Sequence, residues 1–76
     1  MAGRYPIVTA VETVRALQRA GWVEDHQTGS HKIFKHGTIG GHISVPMHAG
    51  RTLSVKTLKN MLLQARLTPD EFRRLL

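Results

Sequence analysis

The stretch Gly29-Ser30-His31-Lys32-Ile33-Phe34 contains a turn that leads directly into a strand. A glycine followed by a short hydroxyl residue is typical of a turn, while Ile33 and Phe34 favour an extended chain. Strand ends hold side chains in defined positions on a rigid scaffold. His31 exchanges a proton near neutral pH, so this position makes it a candidate for chemistry.

The residues before this stretch predict one amphipathic helix. Thr9 and Glu12 have the spacing of a capping box, so the helix should run from about residue 10 to residue 20. Val11, Val14 and Leu17 recur at helical spacing and are expected to face the core.

A three-stranded meander should follow the first helix. The expected strands are Trp22–His26, His31–His36 and His42–Val45. Trp22 should be the largest contribution to the core. Each face of the second strand holds one hydrophobe, Ile33 or Phe34, and the pattern leaves open which face is buried. Pro46 has no N–H, so pairing should stop there or reach a sheet edge.

A second long helix is predicted after Ser54, which is a plausible cap. Its expected apolar face consists of Val55, Leu58, Met61, Leu62 and Ala65. Leu63 falls on the opposite, basic side and is expected to lie under the C-terminal segment, with contact to a partner as the alternative. Thr68 and Glu71 form a second capping box that starts a short last helix. Residues 1–76 are thus predicted to form one α+β domain, with an antiparallel sheet and the helices on one sheet face.

Composition and charge limit the function. The chain has 76 residues, no cysteine and a net charge of +6, which excludes a disulfide scaffold and a cysteine-based zinc finger. We see no apolar run long enough to span a bilayer and no export signal in residues 1–6, so a cytoplasmic protein is expected.

No acidic residue lies between Asp25 and Asp70. That stretch contains the cations Lys32, Lys35, Arg51, Lys56, Lys59 and Arg66. Such a one-signed stretch favours a nucleic-acid partner.

The same stretch contains all five histidines, His26, His31, His36, His42 and His48. Gaps of five and six residues, with no cysteine, argue against a metal site. His26, His36 and His42 are interpreted as turn and surface residues. Two functions rank equally from the chemistry alone. One is a non-catalytic RNA-binding module. The other is metal-independent RNA cleavage, with His31 as base or acid and His48 as the complementary acid if the strand ends meet in space.

Four motifs in order resemble the HicA family of toxin ribonucleases. They are AGW at 20–22, GSH followed by an aromatic at 29–34, VPMH at 45–48 and TLKNMLLQARL at 57–67. The resemblance covers roughly residues 11–67. It implies an αβββα fold similar to double-stranded RNA-binding domains, mRNA cleavage that blocks translation, no cofactor, and a HicB-type antitoxin covering the active site.

The resemblance also implies roles for individual residues. His31 matches the catalytic histidine, and Gly29 and Ser30 form the turn of its motif. His48 matches the histidine of the VPxH pattern, and we assign it, with Gly29 and Ser30, to proton transfer or substrate positioning. The RNA-binding residues expected from the charge pattern are Lys32, Lys35, Arg51, Lys56 and Lys59. Two departures from the family pattern are Lys56 and Arg66, each at a position where the family usually has glycine.

Overall fold

A computed structural model describes residues 4–48 and 50–76. The elements are α1 (Ala10–Arg19), β1 (Trp22–Thr28), β2 (His31–His36), β3 (His42–Pro46), α2 (Val55–Ala65) and α3 (Pro69–Leu75). This order confirms the predicted α+β fold. Residues 1–3 and 49, which include the start of the N-terminal segment and of the loop after β3, lie outside the described residues. No helix in the described ranges is both long and apolar enough to cross a bilayer.

The three strands form one antiparallel sheet in the order β1-β2-β3. β2 has the predicted bounds, and Pro46 pairs with His31 on an edge strand, as a residue without an N–H should. β1 runs to Thr28, so the prediction that it ends at His26 was wrong. The two added residues are exposed and belong to the strand because they pair with the start of β2, a contact that composition does not reveal.

Phe34 determines which face of the sheet is buried. It is fully buried, as are Ile43 and Val45 of β3, and Trp22 is almost so. The helices contribute the rest of the core, with Ala10, Ala16, Leu17, Leu58, Met61, Leu62, Ala65 and Phe72. By strand alternation, His31 and Ile33 therefore lie on the opposite face of the sheet, which we call the open face.

Two hydrophobes predicted to face the core lie at the surface instead. Val11 is 49% exposed and Val55 is 58% exposed. The buried face of α1 instead contains Ala10, Thr13, Ala16 and Leu17. The Thr13 hydroxyl is buried without an unpaired group, because it donates to the Thr9 carbonyl oxygen at 2.9 Å. Leu63 is 66% exposed, so the expectation that it lies under the C-terminal segment was wrong.

The helix ends follow the predicted capping chemistry. Both capping boxes are formed, and the hydroxyl of Ser54 caps α2 by accepting from the Thr57 N–H. The hydrogen bonds from Thr68 hold the pKa of the Glu71 carboxyl below its usual range. α2 ends at Arg66 in the left-handed conformation, with φ of 58°. The departure from glycine at that position is thus accommodated at the cost of backbone strain.

Candidate active site at the ends of the second and third strands

A two-residue turn places His31 at the start of β2. Gly29 adopts φ of 56° there, a conformation that a side chain disfavours, and its carbonyl accepts a hydrogen bond from the Gln27 side chain at 3.0 Å. Thr28 and His31 pair across the hairpin immediately beyond this turn. The His31 side chain is exposed and makes no hydrogen bond within the described part of the chain. The turn therefore holds His31 at a fixed backbone position with an exposed side chain.

The exit of β3 lies against the same turn. His31 pairs with Pro46, and the next residue, Met47, donates its N–H to the Ser30 carbonyl at 2.7 Å. His48 follows and is exposed, and its carbonyl accepts from the Arg51 N–H at 3.2 Å. The ends of β2 and β3 thus meet, and they bring the backbone positions of two histidines and an arginine to one end of the sheet.

The lysines of β2 are not free of acidic partners. Lys32 lies 3.5 Å from a carboxylate oxygen of Glu24, and Lys35 lies 3.3 Å from one of Asp25. The stretch that contains no acidic residue in the sequence therefore has acidic neighbours in the fold, because β1 pairs with β2 and brings its carboxylates beside these lysines. Ion pairs with this much exposure are weak, so a phosphate oxygen can compete for either lysine. The other cations assigned to RNA, Arg51, Lys56 and Lys59, are exposed and form no salt bridge among the described residues.

Asp25 lies at a bulge in β1 and gathers three side chains. Its carboxylate is 2.8 Å from His26 Nδ1, 3.3 Å from Lys35 Nζ and 3.8 Å from His42 Nε2. The hydrogen bond to His26, followed by that to Lys35, lowers the pKa of the Asp25 carboxyl. His31 is not part of this cluster. Within the described chain, no carboxylate is hydrogen-bonded to the His31 imidazole to orient it. Nor do the described residues contain a group of three or more side chains arranged to hold a metal ion.

His36 was predicted to be a turn or surface residue, but its ring is hydrogen-bonded to the backbone within the fold. Its Nδ1 accepts the backbone N–H groups of Thr38 and Ile39 at 3.1 and 3.2 Å. Nε2 therefore carries the proton, and it donates to the Ala20 carbonyl at 3.2 Å. The ring also contacts Trp22 edge-on, with 5.2 Å between the ring centroids. The sequence signal for this role was a histidine just before a glycine-containing turn. Its partner Ala20, at the C-terminal end of α1, is distant in sequence and could not be predicted.

A small apolar cleft adjoins His48. It has a volume of about 160 Å³ and is lined by Thr9, Ala10, Val11, Met47, His48 and Gly50. Val11 is the residue that the periodicity had predicted to face the core, and its exposure forms one wall of this cleft. The sequence offered no signal for the cleft, because α1 and the exit of β3 are far apart in the chain.

The fold and this end of the sheet define a small basic α+β domain that presents histidines on paired strand ends. A family model described as HicA toxin of bacterial toxin-antitoxin matches residues 11–67, which is most of the chain. The chain belongs to the HicA toxin family. No curated protein matches it. Membership of a toxin family of this kind implies an antitoxin partner.

Proposed function

We propose that the protein is a metal-independent endoribonuclease that cleaves mRNA, inhibits translation and uses His31 as its catalytic residue. The observation that carries the proposal is the exposed His31 imidazole, which makes no hydrogen bond within residues 4–48 and 50–76, on a strand end that also holds the His48 segment. A nuclease of this type needs a base, an acid and cations, and it needs no resident metal.

The reaction would proceed by internal attack within the RNA. One imidazole, that of His31, takes the proton of a ribose 2′-hydroxyl, whose oxygen then bonds to the adjacent phosphorus. The bond from phosphorus to the 5′-oxygen breaks, and the leaving oxygen takes a proton from an acid, for which the candidate is His48, because Met47 beside it is hydrogen-bonded to Ser30 beside His31. The products are a 2′,3′-cyclic phosphate and a 5′-hydroxyl, so atoms and charge balance without a co-reactant.

The surrounding groups would bind the substrate and stabilise the developing charge. Arg51 is tied to His48 through its backbone and has an exposed side chain, which makes it the favoured phosphate contact. Lys32 and Lys35 would exchange their carboxylate partners for phosphate oxygens, while Lys56 and Lys59 add positive charge on α2. Gly29 and Ser30 would keep the turn that positions His31. Since mRNA is the substrate, the cytoplasm is the proposed location.

The test is cleavage of a labelled mRNA in the presence of a chelator. The wild-type protein should cut the RNA, and His31→Ala should lose at least about a hundredfold in rate, the usual scale of acid–base catalysis. His26→Ala is the matched control, because His26 is also exposed on the sheet and should retain the cleavage rate. RNA that stays intact but bound with the wild type would assign the domain to non-catalytic RNA binding, and equal rates for the wild type and His31→Ala would contradict the role of His31.

The antitoxin is proposed to be an acidic HicB-type protein that covers His31. The net charge of +6 and the exposed cations Arg51, Lys56 and Lys59 favour an acidic surface on the partner. Hydrogen exchange of the free toxin and of the complex should show protection of residues 29–34 and of the β3 exit. Inhibition without protection at residues 29–34 would contradict a covered active site.

A further inference from the structure

A groove separates the open face of β3 from α2, and the proposed catalysis does not use it. Its first part has a volume of about 320 Å³ and lies among His42, Ser44, Asn60 and Gln64. Its second part has a volume of about 350 Å³ and continues past Trp22 to Arg66. His42 and Gln64 line both parts, so the two parts adjoin, and we refer to them together as the groove.

Hydrogen-bonding groups without partners line this groove. The carboxamides of Asn60 and Gln64 are one helical turn apart on α2, are exposed, and make no hydrogen bond within the described chain. The Trp22 side chain is only 2% exposed, and its indole N–H has no acceptor among the described residues. A buried donor of this kind is costly to leave unpaired. Trp22 is among the residues that line the second part of the groove, although its N–H is itself buried.

The charge of the groove suits a polyanion. Arg66 lines it and is exposed, whereas no acidic residue is among its lining residues. The nearest described carboxylate contact is that of Asp25 with His42 at 3.8 Å, and Asp25 is already paired with Lys35. The groove therefore combines one available guanidinium with several uncharged donors and acceptors.

The groove also shares a face of the sheet with His31. Ser44 pairs with Ile33, and Ile33 is two residues from His31 on the same face of β2. Two residues of a strand span about 7 Å. A chain bound at His31 could thus place its neighbouring unit in the groove without leaving the open face.

From these observations we infer that the groove binds a nucleobase of the RNA near the cleaved bond and reads its hydrogen-bonding edge. A carboxamide presents one acceptor beside donors, which matches the edge of an unpaired base, and single-stranded RNA is recognised through such edges. Asn60 and Gln64 are the specificity-determining residues, and Arg66 binds the adjoining phosphate. This inference rests on the proposed function in taking RNA as the substrate.

The first experiment measures base preference. Unstructured RNA randomised in sequence is cut by the wild type, by the double variant Asn60→Ala/Gln64→Ala, and by Gln18→Ala, which removes an exposed carboxamide from α1 as a control. The wild type and the control should show the same base preference at a position flanking the cut. The double variant should lose about tenfold or more of that preference. An unchanged preference in the double variant would overturn the inference.

The second experiment does not depend on cleavage, so it separates this inference from the proposed function. Short single-stranded RNA is titrated into His31→Ala protein while NMR follows the side-chain N–H signals of Asn60 and Gln64. RNA should shift both sets of signals, whereas inorganic polyphosphate, which supplies charge without bases, should leave them in place. Equal shifts with polyphosphate, or shifts with the antitoxin and none with RNA, would overturn the assignment even if the protein cleaves RNA.

Discussion

Replacing His36 with alanine should destabilise the fold without touching the proposed catalytic end of the sheet. The ring makes three hydrogen bonds to backbone groups and an edge contact with Trp22. Each hydrogen bond contributes about 1 kcal/mol net, and the aromatic contact adds about 0.5–1.5 kcal/mol. Water can replace part of the lost bonding because Thr38 is exposed. We therefore expect a loss of about 2–3 kcal/mol in the free energy of unfolding.

That loss is large for a chain of 76 residues, whose whole stability is expected to be about 4–11 kcal/mol. Urea unfolding followed by the fluorescence of Trp22, the single tryptophan, measures it directly. His31→Ala is the control, since its side chain is exposed and makes no hydrogen bond in the described chain, and it should unfold like the wild type. The structural role of the His36 ring would be refuted if the free energy of unfolding of His36→Ala stayed within about 0.5 kcal/mol of the wild type, or if His31→Ala lost as much.

Three further predictions concern backbone strain and capping. Arg66→Gly should stabilise the protein by about 1 kcal/mol in urea unfolding, because glycine adopts φ of 58° without strain, and an unchanged or lower stability would contradict this. Gly21→Ala should destabilise the protein by about 2 kcal/mol, since φ there is 96° and an added Cβ would lie 2.8 Å from His36 Nε2. The double variant with His36→Ala should lose less stability than the sum of the two single variants, and strictly additive losses would argue against the clash. Folding lowers the pKa of the Glu71 carboxyl, so the ionised carboxylate stabilises the fold above the ordinary pKa of a glutamate, and this stabilisation is lost as pH falls through the lowered pKa. The difference in unfolding free energy between the wild type and Glu71→Gln should therefore shrink on acidification. A difference that stays constant with pH would contradict the capping assignment.

Local chemistry explains why much of the fold could be predicted from the sequence. The capping boxes at Thr9 and Thr68 and the cap at Ser54 have their signals within four residues, and all three helices begin where those signals stand. The bounds of β2 were confirmed for a similar reason, because a glycine turn precedes the strand and another glycine follows it. Pro46 at a sheet edge likewise follows from its missing N–H.

The errors arose where contacts distant in sequence decide the outcome. Val11 has suitable helical spacing for the core, but α1 packs through the face that contains Ala10, Thr13, Ala16 and Leu17 and leaves Val11 exposed. β1 extends to Thr28 through pairing with β2 rather than through its own composition. The ion pairs of Lys32 and Lys35 with β1, and the bonding of His36 to Ala20, likewise depend on the register of the sheet and the approach of α1, which no local pattern encodes.

The candidate site was predictable only as a set of residue types at strand ends. The sequence placed His31 and His48 at the margins of two strands, and the Met47–Ser30 hydrogen bond brings those margins together. The groove beside α2 could not have been predicted, because Asn60 and Gln64 read as an ordinary polar face until β3 lies next to them.

The most direct test of the central claim, that His31 drives attack by the ribose 2′-hydroxyl, is to determine the ends of the RNA fragments produced in the presence of a chelator. The upstream fragment should end in a 2′,3′-cyclic phosphate and the downstream fragment should begin with a 5′-hydroxyl. These ends should disappear with His31→Ala, and with RNA carrying 2′-deoxyribose at the cut position. Fragments ending in a 3′-hydroxyl and a 5′-phosphate, or cyclic phosphate ends formed at the wild-type rate by His31→Ala, would contradict this mechanism.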